Sequence, residues 1–256
     1  MIASLLFRFS YRRFLTACRT PLDAQARCLR RVLRRAARTS VGRTHDFAGL
    51  ARLRDAAEMI AAYRERVPIR SYRDMRADLD AVYAGDWRRL CPSRPVYFAM
   101  TAGSTGRFKY LPVTAELRRD LGRGSLIYYG ALEAACPTLR GLKAQFLVGS
   151  AEGGFSPGGI PQGFASGFNY KNLPRFLRAK FVLPYWIFTL ADAEDRAYAA
   201  GRILAEHSGV GALCAISPVN LINLRTALEQ NVDRLCADLR AGALSVRSRS
   251  AVPGHY

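Results

Sequence analysis

The sequence predicts an α/β fold, and three observations carry that prediction. Residues 1–95 read as helical, with apolar positions at helical spacing. After Pro95, short runs rich in β-favouring residues begin. From there on such runs alternate with capped helical stretches, the pattern of strands covered by helices.

The elements follow in order. From Arg27 to Arg38, arginines stand at 27, 30, 31, 34, 35 and 38, inside an arc of roughly 140° at helical pitch, with Leu29, Val32, Leu33 and Ala36 on the other side. Such a face suits a polyanion or plain solvation, and solvation is the commoner use of a charge run. Thr39-Ser-Val-Gly42 ends this helix; a second covers 50–66 and stops at Pro68. Ser71, with Asp74 three residues later, reads as an N-cap and first-turn acid opening a helix to Ala84, which Gly85 terminates. Val96–Met100 and Phe108–Val113 are extended runs around the glycine-rich segment Thr101–Gly106. Thr114 and Glu116 open a long helix that Pro137 closes. Ala144–Val148 is a candidate buried strand, and 149–170, with seven glycines and two prolines, reads as a surface loop near a ligand entrance. Asp192 and Asp195 open a helix to His207, Gly211–Ile216 is strand-like, and Ser217-Pro218 is an N-cap followed by proline at the first helical position.

Composition narrows the classes. The 256 residues are 50% hydrophobic and 23% charged, a globular rather than a disordered balance. Lys and Arg total 39 against 20 acidic residues, giving +19, and only Lys109, Lys143, Lys171 and Lys180 are lysines. That arginine bias permits non-specific contact with polyanions but does not specify a nucleic-acid partner. No apolar run reaches the roughly 20 residues of a membrane span, and MIASLLFRFSYRR lacks the residue order of a secretory signal. The six cysteines form no C-x-x-C pair, which suits isolated thiols in the reducing cytoplasm. His45, His207 and His255 have no partners at ligand spacing, so a metal centre held by this chain is not expected.

The chemistry concentrates in Thr101-Ala-Gly-Ser-Thr-Gly-Arg-Phe-Lys109. Glycines let successive N–H groups converge on an anion, hydroxyls add donors, and an ammonium supplies countercharge. A Walker loop would need G-x-x-x-x-G-K-[ST], which the segment does not match. A polar hairpin turn is the plainer use of the same residues; the flanking strand-like runs favour phosphate. Gly154-Phe-Ser156-Pro-Gly158 fits G-x-S-x-G, yet Pro157 has no N–H to serve as the oxyanion donor of a nucleophile elbow. Gly122-Arg-Gly124 is followed by Ile127 where a dinucleotide fingerprint needs glycine.

YFAMTAGSTGRFKYLPVT resembles the phosphate-binding signature of the auxin-responsive-promoter (Gretchen Hagen three) family of acyl acid–amido synthetases, within the adenylate-forming superfamily. Thr39-Ser-Val-Gly42, Val67-Pro-Ile-Arg-Ser-Tyr72, Gly158-Gly-Ile-Pro-Gln-Gly163 and Ala215-Ile-Ser-Pro218 are similar, in order, to further strings of that family. The resemblance implies the first half of the family's large domain: a mixed sheet flanked by helices, with a helical region 1–95, an α/β part 96–242 and an irregular tail 243–256, the family's C-terminal half being absent. It also implies ATP with Mg, a small carboxylic acid and an amino acid as substrates, and an acyl-adenylate on the way to an amide. Thr101, Gly103, Ser104, Thr105, Gly106 and Lys109 would then hold phosphate, with Lys109 also neutralising developing charge. Ile127, Tyr128 and Tyr129 stand where family members place acyl-pocket residues, though they suit a core equally well.

Ala102 replaces a serine of the family string, Ser104 a threonine, and Phe108 stands where the superfamily often has proline. Because the adenine, ribose and amine segments of the family lie downstream, little turnover is expected of the isolated chain, and an uncovered core is expected to drive self-association. The contrasting function is a non-catalytic basic protein whose arginine faces bind RNA or an anionic membrane surface.

Overall fold

The structure is a computed structural model and describes residues 2–102 and 108–246. Among the described residues six α-helices and a short 3-10 helix (Trp87–Arg89) precede the first strand, the α-helices being α1 (Ile2–Ala17), α2 (Pro21–Ala36), α3 (Ser40–Thr44), α4 (Phe47–Leu50), α5 (Ala56–Arg66) and α6 (Arg76–Ala84). There follow β1 (Tyr97–Ala102), β2 (Phe108–Val113), α7 (Ala115–Ala135), β3 (Lys143–Leu147), β4 (Gln162–Phe164), α8 (Ala165–Lys171), α9 (Arg175–Arg178), α10 (Ala193–Glu206), β5 (Val210–Ala215), α11 (Pro218–Glu229) and α12 (Val232–Ala241). The fold is α/β with strands of both directions, in two sheets: β2-β1-β4, in which β1 and β2 are antiparallel, and the parallel pair β3-β5. The chain divides into two compact units, Phe7–Gly130 with Gly153–Gln162, and Met1–Leu6 with Ala131–Glu152 and Gly163–Tyr256.

The first unit has a helical core. Ala26, Leu29, Leu33 and Ala36 recur at helical spacing on α2, and Leu33 meets Leu50 and Met59, all three with no exposed surface. Thr39 caps α3 by accepting from Gly42 N at 3.0 Å, and a Cβ on Gly42 would lie 2.0 Å from the Ala36 carbonyl oxygen. A second cluster, Val82, Cys91, Phe98 and Ile160, joins α6 to the sheet. Phe7 of α1 stacks on Tyr129 of α7 with ring centres 5.0 Å apart.

In the second unit β3 and β5 pair from Lys143↔Val210 to Leu147↔Ala215. Buried Gln145 ties β3 to the segment after α9: its Oε1 accepts from Val182 N (3.0 Å) and Leu183 N (2.8 Å). Asp238 of α12 is the other polar anchor, accepting from Tyr198 Oη (2.9 Å), Ser245 N (2.7 Å) and Ser245 Oγ (2.7 Å). Burial works against its ionisation, but these hydrogen bonds outweigh burial and hold the carboxyl below its ordinary value.

Most helix ends fall where the sequence places them: Thr114 Oγ1 accepts from Leu117 N, Asp192 accepts from Asp195 N, and Gly85 ends α6 at φ 127°. Some expectations need correction. The helix expected over 50–66 spans only Ala56–Arg66, with α4 ending before it at Leu50. Ser71 and Asp74 do bond reciprocally (Ser71 N and Oγ to Asp74 Oδ2, both 2.8 Å), yet they close a turn, and α6 starts only at Arg76. Ser217 stands at the N-cap of α11 ahead of Pro218, as expected, though without a side-chain cap bond. Segment 149–170 is not simply a surface loop: it contains β4 and most of α8, and Ser156, Ile160 and Gln162 are buried. Gly167 lies inside α8 because its Cα faces backbone: a Cβ there would sit 2.0 Å from the Gly149 carbonyl oxygen. Tail residues 247–256 lie outside the described residues.

Candidate functional site

The hairpin β1-β2 carries the candidate site residues Thr101 and Lys109. Its register sets Thr101 opposite Lys109 and Ala102 opposite Phe108, so the two strands deliver both ends of the glycine-rich segment to one place. Gly103, Ser104, Thr105 and Gly106 lie outside the described residues; Thr101 and Lys109 bracket them. Lys109 is half-buried, and its Nζ lies 4.9 Å from the centre of the Tyr72 ring. That ring belongs to the turn closed by Ser71 and Asp74. Hydrogen bonds from the Ser71 amide and then its hydroxyl hold the Asp74 carboxyl below its ordinary value, so it stays ionised and the turn stays closed at neutral pH. No carboxylate among the described residues pairs with Lys109, so the aromatic face positions the ammonium and leaves its charge uncompensated.

Side chains alternate along a strand, so Tyr110 leaves β2 on the face opposite Lys109. There Tyr110 stacks on Tyr83 (ring centres 4.5 Å apart), and Tyr83 Oη donates to Gln162 Oε1 at 2.6 Å. Burial, then the neighbouring Tyr110 hydroxyl, pushes the Tyr83 phenol above its ordinary value, so it remains a donor. Phe98 N donates to Pro161 O at 2.9 Å, and Ser156 closes the loop behind it through Ser156 N to Ile160 O (2.8 Å) and Ile160 N to Ser156 Oγ (3.1 Å). Ser156 is thus a buried turn residue, in keeping with its rejection as a nucleophile. Four stretches of sequence, carrying Tyr72, Tyr83, Lys109 with Tyr110, and Gln162, come together around one hairpin. Spacing alone did not show the Tyr72–Lys109 and Tyr83–Gln162 contacts, since each joins residues far apart in the chain.

The remaining candidates lie on α7. Tyr129 packs on Phe7, Tyr128 meets Tyr129 edge-on (5.8 Å) and is 52% exposed, and Ile127 lines a groove between α1 and α7 with Phe9, Arg13 and Phe14. A Cβ on Gly130 would lie 2.3 Å from the Phe7 carbonyl oxygen, so α1 and α7 touch backbone to backbone here.

The second unit holds an ionic cluster that sequence reading missed. Glu152 accepts from Lys171 Nζ (2.6 Å), Tyr185 Oη (2.5 Å) and Ser150 Oγ (2.9 Å), while Tyr185 Oη accepts from Ala151 N (2.8 Å). Burial and then Glu152 push the Tyr185 phenol up to about 12, so it serves as a fixed donor that ties the 150–152 turn to the segment after α9. Among the described residues no group of three His, Cys, Asp or Glu side chains could hold a metal ion, and no helix is long and apolar enough to cross a membrane.

Known proteins give the comparison its scale. The family model described as "GH3 family N-terminal domain" matches residues 10–253. The indole-3-acetic acid-amido synthetase GH3.6 of Arabidopsis thaliana is 24% identical over 234 residues, covering 87% of this chain and 37% of its own. GH3.2 of the same plant, of the same description, is 25% identical over 244 residues, covering 90% of this chain and 42% of its own. Among solved structures, the AtGH3.15 acyl acid amido synthetase in complex with 2,4-DB superposes with a TM-score of 0.71 at 20% identity, over 93% of this chain and 43% of that one. The chain therefore spans about two fifths of the length of these relatives.

Proposed function

The chain belongs to the GH3 family, through that family's N-terminal domain, and from that premise we propose that it is the acid-activating portion of an acyl acid–amido synthetase. In this reading a carboxylate attacks the α-phosphate of ATP, pyrophosphate leaves, and an amino acid amine then displaces AMP from the acyl-adenylate to form the amide. Ser104 and Thr105 hydroxyls and the amides around Gly103 and Gly106 hold phosphate, with Thr101 at the mouth of the loop. Lys109 offsets the charge that grows on the phosphate oxygens as pyrophosphate departs, and Tyr72 positions it. In the same proposal magnesium arrives on the nucleotide's own phosphates. Ile127, Tyr128 and Tyr129 supply one side of the acyl pocket in the same proposal. The same proposal includes a cytoplasmic setting, suited to six free cysteines, and self-association through the exposed Ile216, Val219 and Ile222.

The observation that supports this reading most is the cross-strand placement of Thr101 and Lys109 around the glycine-rich segment, with the lysine held over Tyr72 and free of a carboxylate partner among the described residues. Equilibrium dialysis of ATP against the chain and its Lys109→Ala variant tests the loop. The variant is expected to bind at least tenfold more weakly while unfolding at the same temperature. Equal binding by the two would remove the loop from the proposal. Carboxylate-dependent exchange of pyrophosphate into ATP, in a protein of full family length carrying this portion, tests the activation step.

A further inference from the structure

The arginines of the 27–38 series are held in different ways. Arg30 donates to the Leu53 and Arg54 carbonyls at 2.8 and 3.1 Å, and Arg31 and Arg35 pair with Asp120 at 4.0 and 3.4 Å. These are tied into the unit. Arg34 and Arg38 are exposed, and with the Asp120-paired Arg35 they line a groove of about 750 Å³ together with Arg43, Arg88 and the half-buried Trp87. Arg43 Nη1 donates to the Arg38 carbonyl at 2.6 Å, and the Arg88 guanidinium lies 5.2 Å from the centre of the Trp87 ring. Arg34, Arg38, Arg43 and Arg88 have no carboxylate partner among the described residues, and no carboxylate lines the groove.

A merely solvated face spreads its charges along one helix, whereas here arginines from three places in the chain line one groove, and four of them have no carboxylate partner among the described residues. We propose that this groove binds single-stranded nucleic acid without sequence preference, its phosphates on Arg34, Arg38, Arg43 and Arg88 and a base stacked on the Trp87–Arg88 layer. The chemistry favours that ligand over its rivals. Each guanidinium is exposed, so a lone phosphate or a mononucleotide gains little at physiological salt. A strand contacting all four sheds condensed counterions with every contact, which makes weak contacts add up. Trp87 and the planar Arg88 give an unstacked base a surface that a duplex, an acidic peptide or inorganic polyphosphate cannot use. The groove shares no residue with the β1-β2 hairpin, so the inference stands apart from the acid-activation reading.

Trp87 and Trp186 are the two tryptophans of the chain, so Trp186→Phe leaves Trp87 as a reporter. The experiment titrates a mixed-sequence, twelve-nucleotide single-stranded RNA into that variant, reading Trp87 emission and, with labelled RNA, anisotropy across salt concentrations. Expected are quenching of Trp87 and a slope of log K against log salt near about −2.8, roughly −0.7 for each of four phosphate contacts. Arg34→Gln, Arg38→Gln, Arg43→Gln and Arg88→Gln combined should weaken binding at least tenfold and flatten that slope. Changing Arg52, Arg64, Arg73 and Arg240 to Gln, an equal loss of charge elsewhere, should stay within about twofold. If the combined groove variant does not fold, Arg34→Gln and Arg38→Gln singly should each weaken binding two- to fivefold. No binding, binding without quenching, or equal losses in the two fourfold variants would overturn the proposal. So would equal quenching by inorganic polyphosphate or equal affinity for a duplex.

Discussion

The Lys109 ammonium rests over the face of the Tyr72 ring, 4.9 Å from its centre, on the edge of the segment that Thr101 and Lys109 bracket. A cation over an aromatic ring is held in place without being neutralised. Tyr72→Phe keeps the ring and should leave ATP affinity within about twofold. Tyr72→Leu removes the π-face and should cost about 0.5–1 kcal/mol, a two- to fivefold loss in the same dialysis measurement. Lys109→Arg keeps the charge in a planar fork and should recover only part of what Lys109→Ala loses. Equal affinity in Tyr72→Leu and wild type would show that the ring does not position the lysine.

Glycines on α7 should respond in opposite directions. Gly130→Ala puts a methyl 2.3 Å from the Phe7 carbonyl oxygen and 2.6 Å from Tyr11 Cβ, which α1 can relieve only by moving away. A loss of about 2 kcal/mol or more is expected. Gly122 and Gly124 face open space, so alanine there should gain about 0.5–1 kcal/mol through helix propensity. Urea midpoints that shift the same way for all three would contradict the close approach of α1.

Acid should act through Asp238. Its folded pKa lies below the ordinary 3.8, so the unfolded chain takes up the proton first. The stability this carboxylate contributes is therefore complete well above pH 3.8 and is lost as pH falls through that value toward the folded pKa. Asp238→Asn should start less stable at pH 7 and lose less on acidification. Parallel stability–pH curves for the two proteins, from urea unfolding between pH 7 and 3, would refute the assignment.

Thiol labelling should sort the cysteines by burial. Burial pushes the Cys91 thiol up to about 11, so almost no thiolate is present at pH 8, and the residue is also shielded from reagent. Cys18, Cys28 and Cys136 are exposed and should react with Ellman's reagent first, with Cys91 reacting only on unfolding. Mass mapping that finds Cys91 among the first labelled would count against the packing around Phe98.

Local signals carried much of the fold. Pro95, the β-favouring runs and the Thr114 and Asp192 caps specify β1, β2, α7 and α10 because each acts within a few residues of itself. The reading failed where a local signal had a distant cause. Gly167 looked like loop composition, yet it is a helical residue whose missing side chain lets α8 approach the Gly149 carbonyl. Ser71 and Asp74 form the hydrogen bonds of a capping box without opening a helix, since the chain turns there to bring Tyr72 to Lys109. At the candidate site Lys109 was legible from its glycine-rich setting. Tyr72, Tyr83 and Gln162 were not, because contacts between distant strings follow from the hairpin's two faces and not from spacing.

The parallel pairing of β3 with β5 has a consequence in time. Leu147 finds its partner in Ala215 only after the residues between them have been made. A ribosome adding about 5–20 residues per second needs roughly 3–14 s for that stretch. Throughout that interval β3 is a newborn strand with open backbone groups and no neighbour from its own sheet. Gln145, which ties β3 to Val182 and Leu183, can take hold about halfway through the wait. This side chain thus gives the strand a temporary mooring during synthesis, before its proper berth exists.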